Sequence, residues 1–178
     1  ITGILGAVAC LRYESAIMLP RTDAEAANLL AVSLLFPLLV ALAAAAVLAV
    51  AAGPLLAALN APELSPYLWL APVSVFISGV FAALNYWNSR TRHFTRLSVA
   101  RVGSAATTAS ATLGFGYAGH ATSGTLIGAS VGGQAVATAV LGGQILRDDH
   151  RVFRHAIRAR EMLAGMKRYR DFPRYSTW

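Results

Sequence analysis

Long apolar blocks separated by short polar segments dominate the pattern of hydrophobic and polar positions in this chain. No charged residue lies between Glu25 and Glu63, and NLLAVSLLFPLLVALAAAAVLAVAAG fills most of that interval. About 20 apolar residues in a helix are enough to cross the hydrocarbon layer of a bilayer. The block therefore predicts a membrane span over residues 27–53, in which neighbouring helices compensate for Pro37.

The second apolar block, over residues 66–88, has aromatic residues at both of its ends. Tyr67 and Trp69 stand near its start, and Tyr86 and Trp87 stand near its end. Tyrosine and tryptophan concentrate at the two interfaces of a membrane because their rings are apolar and their tips are polar. This block predicts a second span.

Two later blocks predict two more spans, and the first residues predict part of another. Residues 97–118 are rich in small and hydroxyl side chains and contain one charge, whereas residues 124–146 are rich in glycine. The opening stretch ITGILGAVACL, residues 1–11, is too short to cross a bilayer and predicts the end of a partial span. We therefore expect an all-α fold, a polytopic membrane helix bundle over residues 1–146.

The distribution of basic residues predicts the orientation of these spans. Apart from one arginine inside the third complete span, the 15 lysines and arginines lie in residues 12–25, 90–96 and 147–178. The alternate connections, GPLLAALNAPELSP and YAGHATSG, contain none. Because loops rich in lysine and arginine stay in the cytoplasm, we expect the three basic segments to be cytoplasmic.

Composition agrees with a membrane protein and argues against several other classes. The chain is 56% hydrophobic and 13% charged, with a net charge of +7 and a mean hydropathy of +0.55. Basic loops beside anionic lipid explain this charge, so we expect no nucleic acid partner. Cys10 is the single cysteine and cannot form a disulfide or a thiolate metal site within this chain.

An enzyme would need a nucleophile, an acid and base pair or a metal cluster, and the sequence offers one weak cluster. DDH, residues 148–150, lies in a charged run, which we interpret as a solvated face. From Val152 onward, apolar residues recur at helical spacing between arginines. This pattern predicts a basic amphipathic segment over residues 147–178 on the cytoplasmic membrane surface, leading to the next span. We expect no catalytic residue, metal or cofactor.

The glycine-rich block contains three glycines at a spacing of four residues. Gly124, Gly128 and Gly132 share one helix face and permit close approach of a neighbouring backbone. The interpretation we favour is packing inside the bundle, and the alternative is self-association of the protein through this helix.

Polar side chains inside the predicted spans are candidates for function, because they are costly in hydrocarbon. Gln134 lies near the middle of its span, where it either bonds to a neighbouring helix or lines a polar path. Arg101 lies about one turn inside the cytoplasmic edge, where it either extends to the interface or forms a cationic wall for an anionic substrate. Asn85 is the third candidate.

Four stretches resemble the polysaccharide biosynthesis proteins, lipid-linked oligosaccharide flippases of the O-antigen and teichoic-acid exporter type. They occur in that family's order, and the first and last are the more specific. These stretches are RYESAIMLPRTDAEAANL (12–29), ALNYWNSRTRHFTRLSVARV (83–102), the glycine-rich span from 124, and KRYRDFPRYS (167–176). The resemblance implies a fold of about a dozen or more helices in two lobes, of which this chain supplies part of the first.

The resemblance also implies an activity, a substrate and a location. A family member turns an undecaprenyl-pyrophosphate-linked oligosaccharide across the bacterial cytoplasmic membrane by alternating access between its lobes. Arginine suits the pyrophosphate because its planar fork binds phosphate oxygens and keeps its charge. We therefore expect Arg12 and Arg101 to contact the substrate, with Asn85, Tyr86 and Gln134 as weaker candidates for the sugars. The partners would be the lipid-linked glycan, the bilayer and the second lobe.

Two alternatives to a glycan flippase are kept open. A small-molecule or drug exporter of the same superfamily would have a coupling carboxylate within a span. No carboxylate lies inside the complete spans predicted here, so the missing parts of the protein would have to supply it. A membrane glycosyltransferase or polymerase acting on the same lipid would need acidic or histidine clusters in a loop. The outward connections offer Glu63 and His120 for that role.

Overall fold

The computed structural model describes residues 13–20, 22–58, 65, 67–119, 122–150, 153, 156 and 159–168. In this part of the chain all regular structure is helical, which confirms the prediction of an all-α fold. The numbered helices are α1 (Tyr13–Ala16), α2 (Asp23–Ala58), α3 (Leu70–Arg90), α4 (Phe94–Tyr117), α5 (Ser123–Asp148) and α6 (Ala159–Arg168). The predicted partial span over residues 1–11 lies outside the described residues.

The longest helix, α2, begins where the sequence changes from polar to apolar. The backbone N–H of Glu25 donates to the Thr22 hydroxyl at 3.4 Å, and Asp23 and Glu25 occupy the first turn. A hydroxyl acceptor and negative charges both stabilise a helix N-terminus, because its first N–H groups lack partners within the helix. α2 then continues for 36 residues through Pro37 and Pro54.

Three helices are long and apolar enough to cross a membrane: Asp23–Pro54 of α2, all of α3, and Gly124–Asp148 of α5. The chain is therefore a polytopic membrane protein. α4 has 24 residues but is not among these candidates. Its alanines, serines, threonines and Arg101 lower its hydropathy, so the third predicted span, residues 97–118, stays a prediction.

Side-chain hydrogen bonds stabilise the turn between α3 and α4 and the start of α5. Between α3 and α4, Asn88 Nδ2 donates to the His93 carbonyl at 2.9 Å, and Arg92 adopts a positive φ of 58°. Between α4 and α5, Gly119 takes a φ of 72°, and Thr122 forms a capping box with Thr125. These turns reverse the chain, so that α4 runs antiparallel to both α3 and α5.

The resulting topology gathers the charged side chains at one end of the bundle. The start of α2, the end of α3, the start of α4 and the end of α5 all meet there, and α3 runs parallel to α5. We call this end the charged end; it carries Asp23, Arg90, Arg96, Asp148 and Asp149. Its cytoplasmic location stays a prediction.

The buried core lies in the half of the bundle next to the charged end. It includes Ile17, Leu29, Trp87, Leu141 and Ile145, each at most 1% exposed. Toward the opposite end, α2 exposes apolar side chains widely, and Val50 is 88% exposed. An apolar face of this extent on a spanning helix is suited to lipid or to another helix.

The last described helix, α6, packs on the start of α2. Arg168 Nη1 lies 2.9 Å from Glu25 Oε1, and Asn28 Nδ2 donates to the Ala156 carbonyl at 2.8 Å. Gly165 is buried, and a Cβ added to it would lie 3.3 Å from Leu29 Cδ2. α6 is thus attached to the bundle, while the placement of residues 147–178 on a membrane surface stays a prediction.

Candidate functional site

A polar groove opens between the parallel helices α3 and α5. It encloses about 660 Å³, and none of its lining residues is charged. Gln134 Nε2 donates to Ser78 Oγ at 3.1 Å across the groove. The polar lining residues are Tyr67, Ser74, Ser78, Ser130 and Gln134, and the apolar ones are Leu68, Leu70, Ala71, Leu126, Ile127 and Val131. We call this feature the polar groove.

The spacing of polar residues on two parallel helices produces the polar groove. Ser74 and Ser78 are four residues apart on α3, as are Ser130 and Gln134 on α5, so each pair shares a helix face. The Ser74 hydroxyl donates to the Leu70 carbonyl at 2.8 Å, and the Ser130 hydroxyl donates to the Leu126 carbonyl at 3.0 Å. Both protons are used within the helices, whereas the oxygens keep acceptor capacity toward the groove.

The ring of Tyr67 in the polar groove packs closely against Gly124. Gly124 is buried, and a Cβ added to it would overlap the ring of Tyr67. The half-buried Tyr67 ring thus lies against the start of α5 at the end of the groove remote from the charged end. A phenol presents an apolar face and a polar tip, a combination that suits amphipathic ligands.

Another close approach made by a glycine joins α5 to α4. A Cβ on Gly133 would overlap the Thr108 side chain and lie 3.0 Å from the Ser104 carbonyl oxygen. Around Gly128 and Gly132, in contrast, a Cβ would meet nothing within 4 Å among the described residues. The contact with α4 therefore lies one residue away from the predicted face of Gly124, Gly128 and Gly132.

Arg90 joins the end of α3 to the segment between α1 and α2. Its guanidinium lies 3.1 Å from Asp23 Oδ1, and it donates to the carbonyls of Ile17 at 3.2 Å and Pro20 at 2.8 Å. The Arg90 side chain is only 14% exposed. Arginine suits this position because its fork offers several fixed donors.

Arg96 and Trp87 join three helix ends through Asp149. Arg96 lies 2.8 Å from Asp148 and 3.4 Å from Asp149, and the Trp87 indole N–H donates to Asp149 at 3.0 Å. The Trp87 ring also lies 5.1 Å from that of Phe153. The interpretation of residues 148–150 as a solvated face is wrong for Asp149, whose side chain is 18% exposed. Sequence reasoning missed this role because both of its partners are distant in the chain.

The structure places the predicted site residues in different surroundings. Gln134 lies in the polar groove, whereas the half-buried Tyr86 packs against the core. Asn85 is half-buried on α3, and its helical spacing puts it on the face of Ser78, about 10 Å nearer the charged end. Arg101 is exposed on α4 and forms no ion pair within the described residues. Arg12 lies outside the described residues.

The polar residues of the groove that sequence reasoning did not select as site residues are Tyr67 and three serines. Ser74, Ser78 and Ser130 attract little attention singly, because serine is tolerated in membrane helices through bonds to its own backbone. The signal in the sequence is a spacing of four residues within apolar blocks, between Ser74 and Ser78 and between Ser130 and Gln134. Within the described part of the chain, no group of three His, Cys, Asp or Glu side chains is placed to hold a metal ion.

The fold defines a polytopic, all-α membrane protein with an uncharged polar groove between two of its spans. The family described as polysaccharide biosynthesis protein matches residues 15–160. Because the match covers most of the chain, this protein belongs to the polysaccharide biosynthesis protein family. The comparisons with curated proteins and with solved structures gave no match.

Proposed function

We propose that this protein is a non-enzymatic transporter that flips undecaprenyl-pyrophosphate-linked oligosaccharide across the bacterial cytoplasmic membrane. The glycan would serve O-antigen and lipopolysaccharide, capsule or exopolysaccharide synthesis. Membership of the polysaccharide biosynthesis family and three helices able to cross a membrane support this proposal. The remaining support comes from the site itself.

The observation that carries the proposal is the polar groove inside the spans. Its amide and hydroxyl groups stand between two membrane helices, where polar groups are costly without a role. Uncharged hydrogen-bonding groups suit the neutral hydroxyls of sugars. An exporter of cationic drugs would instead favour a carboxylate in the groove, and the lining residues of this groove are uncharged.

The pyrophosphate of the substrate requires cations that the polar groove does not supply. We assign this role to Arg101, which is exposed and has no carboxylate partner within the described residues, and to Arg12. Asn85 and Tyr86 are proposed as further contacts to the sugars. In this proposal the second lobe closes the pathway, since the exposed faces of α2 and α4 leave room for another helical body.

The test is a flipping assay with the full chain in a strain that lacks its gene and any redundant flippase. Without the gene, lipid-linked oligosaccharide should accumulate in the inner leaflet while its pyrophosphate linkage is still formed. Complementation should restore the glycan to the outer leaflet. Gln134→Leu should lower the flipping rate about tenfold, the effect of losing about 1.4 kcal/mol of differential binding.

A second glutamine of α5 provides the matched control. Gln144 is half-buried, lies outside the lining of the polar groove, and leaves its Oε1 without a partner among the described residues. Gln144→Leu should therefore flip substrate at the normal rate. A normal amount of outer-leaflet glycan in the deletion strain would refute the flippase. An equal loss of flipping rate in both glutamine variants would show that the polar groove is not part of the substrate path.

A further inference from the structure

Pro37 leaves one carbonyl of α2 without its helical donor. Proline has no backbone N–H, so the carbonyl of Ser33, four residues earlier, cannot form the usual hydrogen bond of an α-helix. The proline ring also crowds that carbonyl, which weakens the helix at this level. Ser33 and Pro37 are both less than 2% exposed. The interruption therefore lies on the buried face of α2 and not on its outer surface.

The hydroxyl of Ser33 is unpaired at the same level of α2. Its Oγ is buried and has no hydrogen-bond partner among the described residues. Several other hydroxyls of the bundle donate to the carbonyl four residues earlier, namely Ser74 to Leu70, Ser130 to Leu126 and Thr138 to Gln134. Burying a hydroxyl without a partner costs free energy. Two oxygen atoms of one residue thus lack their usual partners at a single point of the helix.

The half of α2 that precedes this point is fixed to its neighbours. Asp23 and Glu25 form ion pairs with other helices, and Asn28 donates to the backbone of the segment before α6. The core residues of this half, none of them more than 3% exposed, are Ala26, Ala27, Leu29, Leu30 and Val32. We call residues 23–32 the anchored half. It cannot turn without breaking these contacts.

The half of α2 that follows Pro37 packs much less tightly within the described part of the chain. We call residues 38–58 the arm. Ala41 is the one buried residue among those of the arm whose side chains the structure describes. The large apolar side chains that the arm exposes are Leu38, Leu39, Leu42, Val47 and Val50. At about 1.5 Å per residue the arm is about 30 Å long, so a bend of about 10° at its base moves its far end by about 5 Å.

We propose that α2 has a hinge between Ser33 and Pro37, at which the arm bends relative to α3, the helix along which α2 packs. Helices bend at prolines and where the ladder of backbone hydrogen bonds is interrupted. Both conditions are met at this point, and the packing changes from tight to loose across it. Bending there breaks few bonds, because the helical bond to the Ser33 carbonyl is already missing. This inference does not depend on the proposed transport activity.

Distances between pairs of spin labels test the hinge directly. The full-length protein, in a background without other cysteines, is labelled at two introduced cysteines and placed in nanodiscs. Val50→Cys with Leu113→Cys reports on the arm against α4, and Ala24→Cys with Leu146→Cys reports on the anchored half against α5. All four positions are exposed. The distance distribution of the arm pair should be at least twofold wider than that of the anchored pair.

The two prolines of α2 provide a matched pair of variants. Pro37→Ala restores the N–H that the Ser33 carbonyl lacks, so it should narrow the arm distribution at least twofold. Pro54→Ala, at an exposed position within the arm, is the control and should leave the distribution unchanged. Ser33→Ala should raise the thermal unfolding midpoint, because it removes a buried hydroxyl without a partner. Ser74→Ala, which removes a bonded hydroxyl, should not raise it.

Three results would overturn the hinge. The arm pair would give a distribution as narrow as that of the anchored pair, which would mean that the rest of the full-length protein holds the arm still. Pro37→Ala and Pro54→Ala would change the arm distribution by the same amount. Finally, Ser33→Ala would lower the unfolding midpoint as much as Ser74→Ala does, which would show that the Ser33 hydroxyl has a partner in the full-length protein.

Discussion

The indole N–H of Trp87 donates a 3.0 Å hydrogen bond to Asp149 Oδ2, across 62 positions of the chain. Arg96 reaches the same carboxylate from the start of α4. Asp149 is thus the common acceptor for two helices and directly follows a third, and the Trp87 ring it binds is 1% exposed. The charged end is held together by this junction as well as by apolar packing.

Removal of the Asp149 carboxylate should destabilise the bundle. Asp149→Ala leaves a buried indole N–H and a mostly buried guanidinium without this partner, which costs about 1–3 kcal/mol. Asp148→Ala, whose side chain is 49% exposed, should cost less than about 1 kcal/mol. Thermal unfolding in detergent, followed by Trp87 fluorescence with Trp69 and Trp178 replaced by Phe, measures both. Equal midpoints for the two variants would contradict this role of Asp149.

Substitution of Arg90 should loosen the start of α2. Arg90→Ala leaves the Ile17 and Pro20 carbonyls without this donor and removes an ion pair, at a cost of about 3 kcal/mol. Arg92→Ala, an exposed arginine two residues away, is the control and should cost less than about 0.5 kcal/mol. Hydrogen exchange over residues 13–30 should rise in the first variant alone. Unchanged exchange would show that Arg90 does not anchor this segment.

Adjacent glycines in α5 should respond in opposite ways to alanine. Gly133→Ala places a methyl group on Thr108 and the backbone of Ser104, and such overpacking costs about 1–3 kcal/mol. Gly132→Ala enters open space and should be neutral or stabilising by up to about 1 kcal/mol, because alanine favours a helix. The thermal unfolding midpoints of the two variants in detergent measure this difference in stability. A larger loss for Gly132→Ala would favour the predicted face of Gly124, Gly128 and Gly132 as the packing surface.

The bond between Gln134 and Ser78 should contribute modestly to stability. Hydrogen bonds between membrane helices contribute about 0.6 kcal/mol on average and up to about 2 kcal/mol, since each group also finds partners in the unfolded state. A double-mutant cycle with Ser78→Ala and Gln134→Leu should give a coupling in that range. If the coupling is zero while Gln134→Leu still slows flipping, Gln134 acts on the substrate and not on helix packing.

Arg101 should matter for transport more than for membrane insertion. If it contacts the pyrophosphate, Arg101→Ala should lower the flipping rate about tenfold or more, because a charge-assisted hydrogen bond contributes about 1.5–3 kcal/mol. Expression and membrane insertion should stay normal. Arg92→Ala, which also removes an exposed arginine near the charged end, is the control. Normal transport by Arg101→Ala would mean that Arg101 extends to the interface and has no substrate role.

The helical character of the chain could be predicted because it depends on local composition. Most of the uncharged interval after Glu25 and most of the apolar block at residues 66–88 lie in helices that are able to cross a membrane, Asp23–Pro54 and Leu70–Arg90. Apolar length and backbone hydrogen bonding favour a helix at such places whatever the neighbours are. Gln134 could likewise be selected, because an amide in mid-span is costly wherever it points.

The partners of those residues could not be predicted, because they depend on the order in which the helices pack. Ser78 is 56 positions from Gln134, and no local pattern indicates that α3 and α5 run side by side. The same applies to Asp149. Its position in a charged run predicts exposure to solvent, whereas its burial depends on Trp87 and Arg96, which are distant in the sequence. Gly133 contacts α4 for a further geometric reason, which is the rotation of α5 about its own axis.

By itself, the sequence of this protein determined an all-α fold with membrane-spanning helices and its resemblance to the polysaccharide biosynthesis family, because apolar length and motif order are properties of the linear chain. Only the tertiary structure decided which arginines form ion pairs within the protein, which glycines touch a neighbour, and how polar side chains of α3 and α5 meet in one groove. The physical reason is that each of these features requires side chains from distant segments to meet, and helix packing alone brings them together.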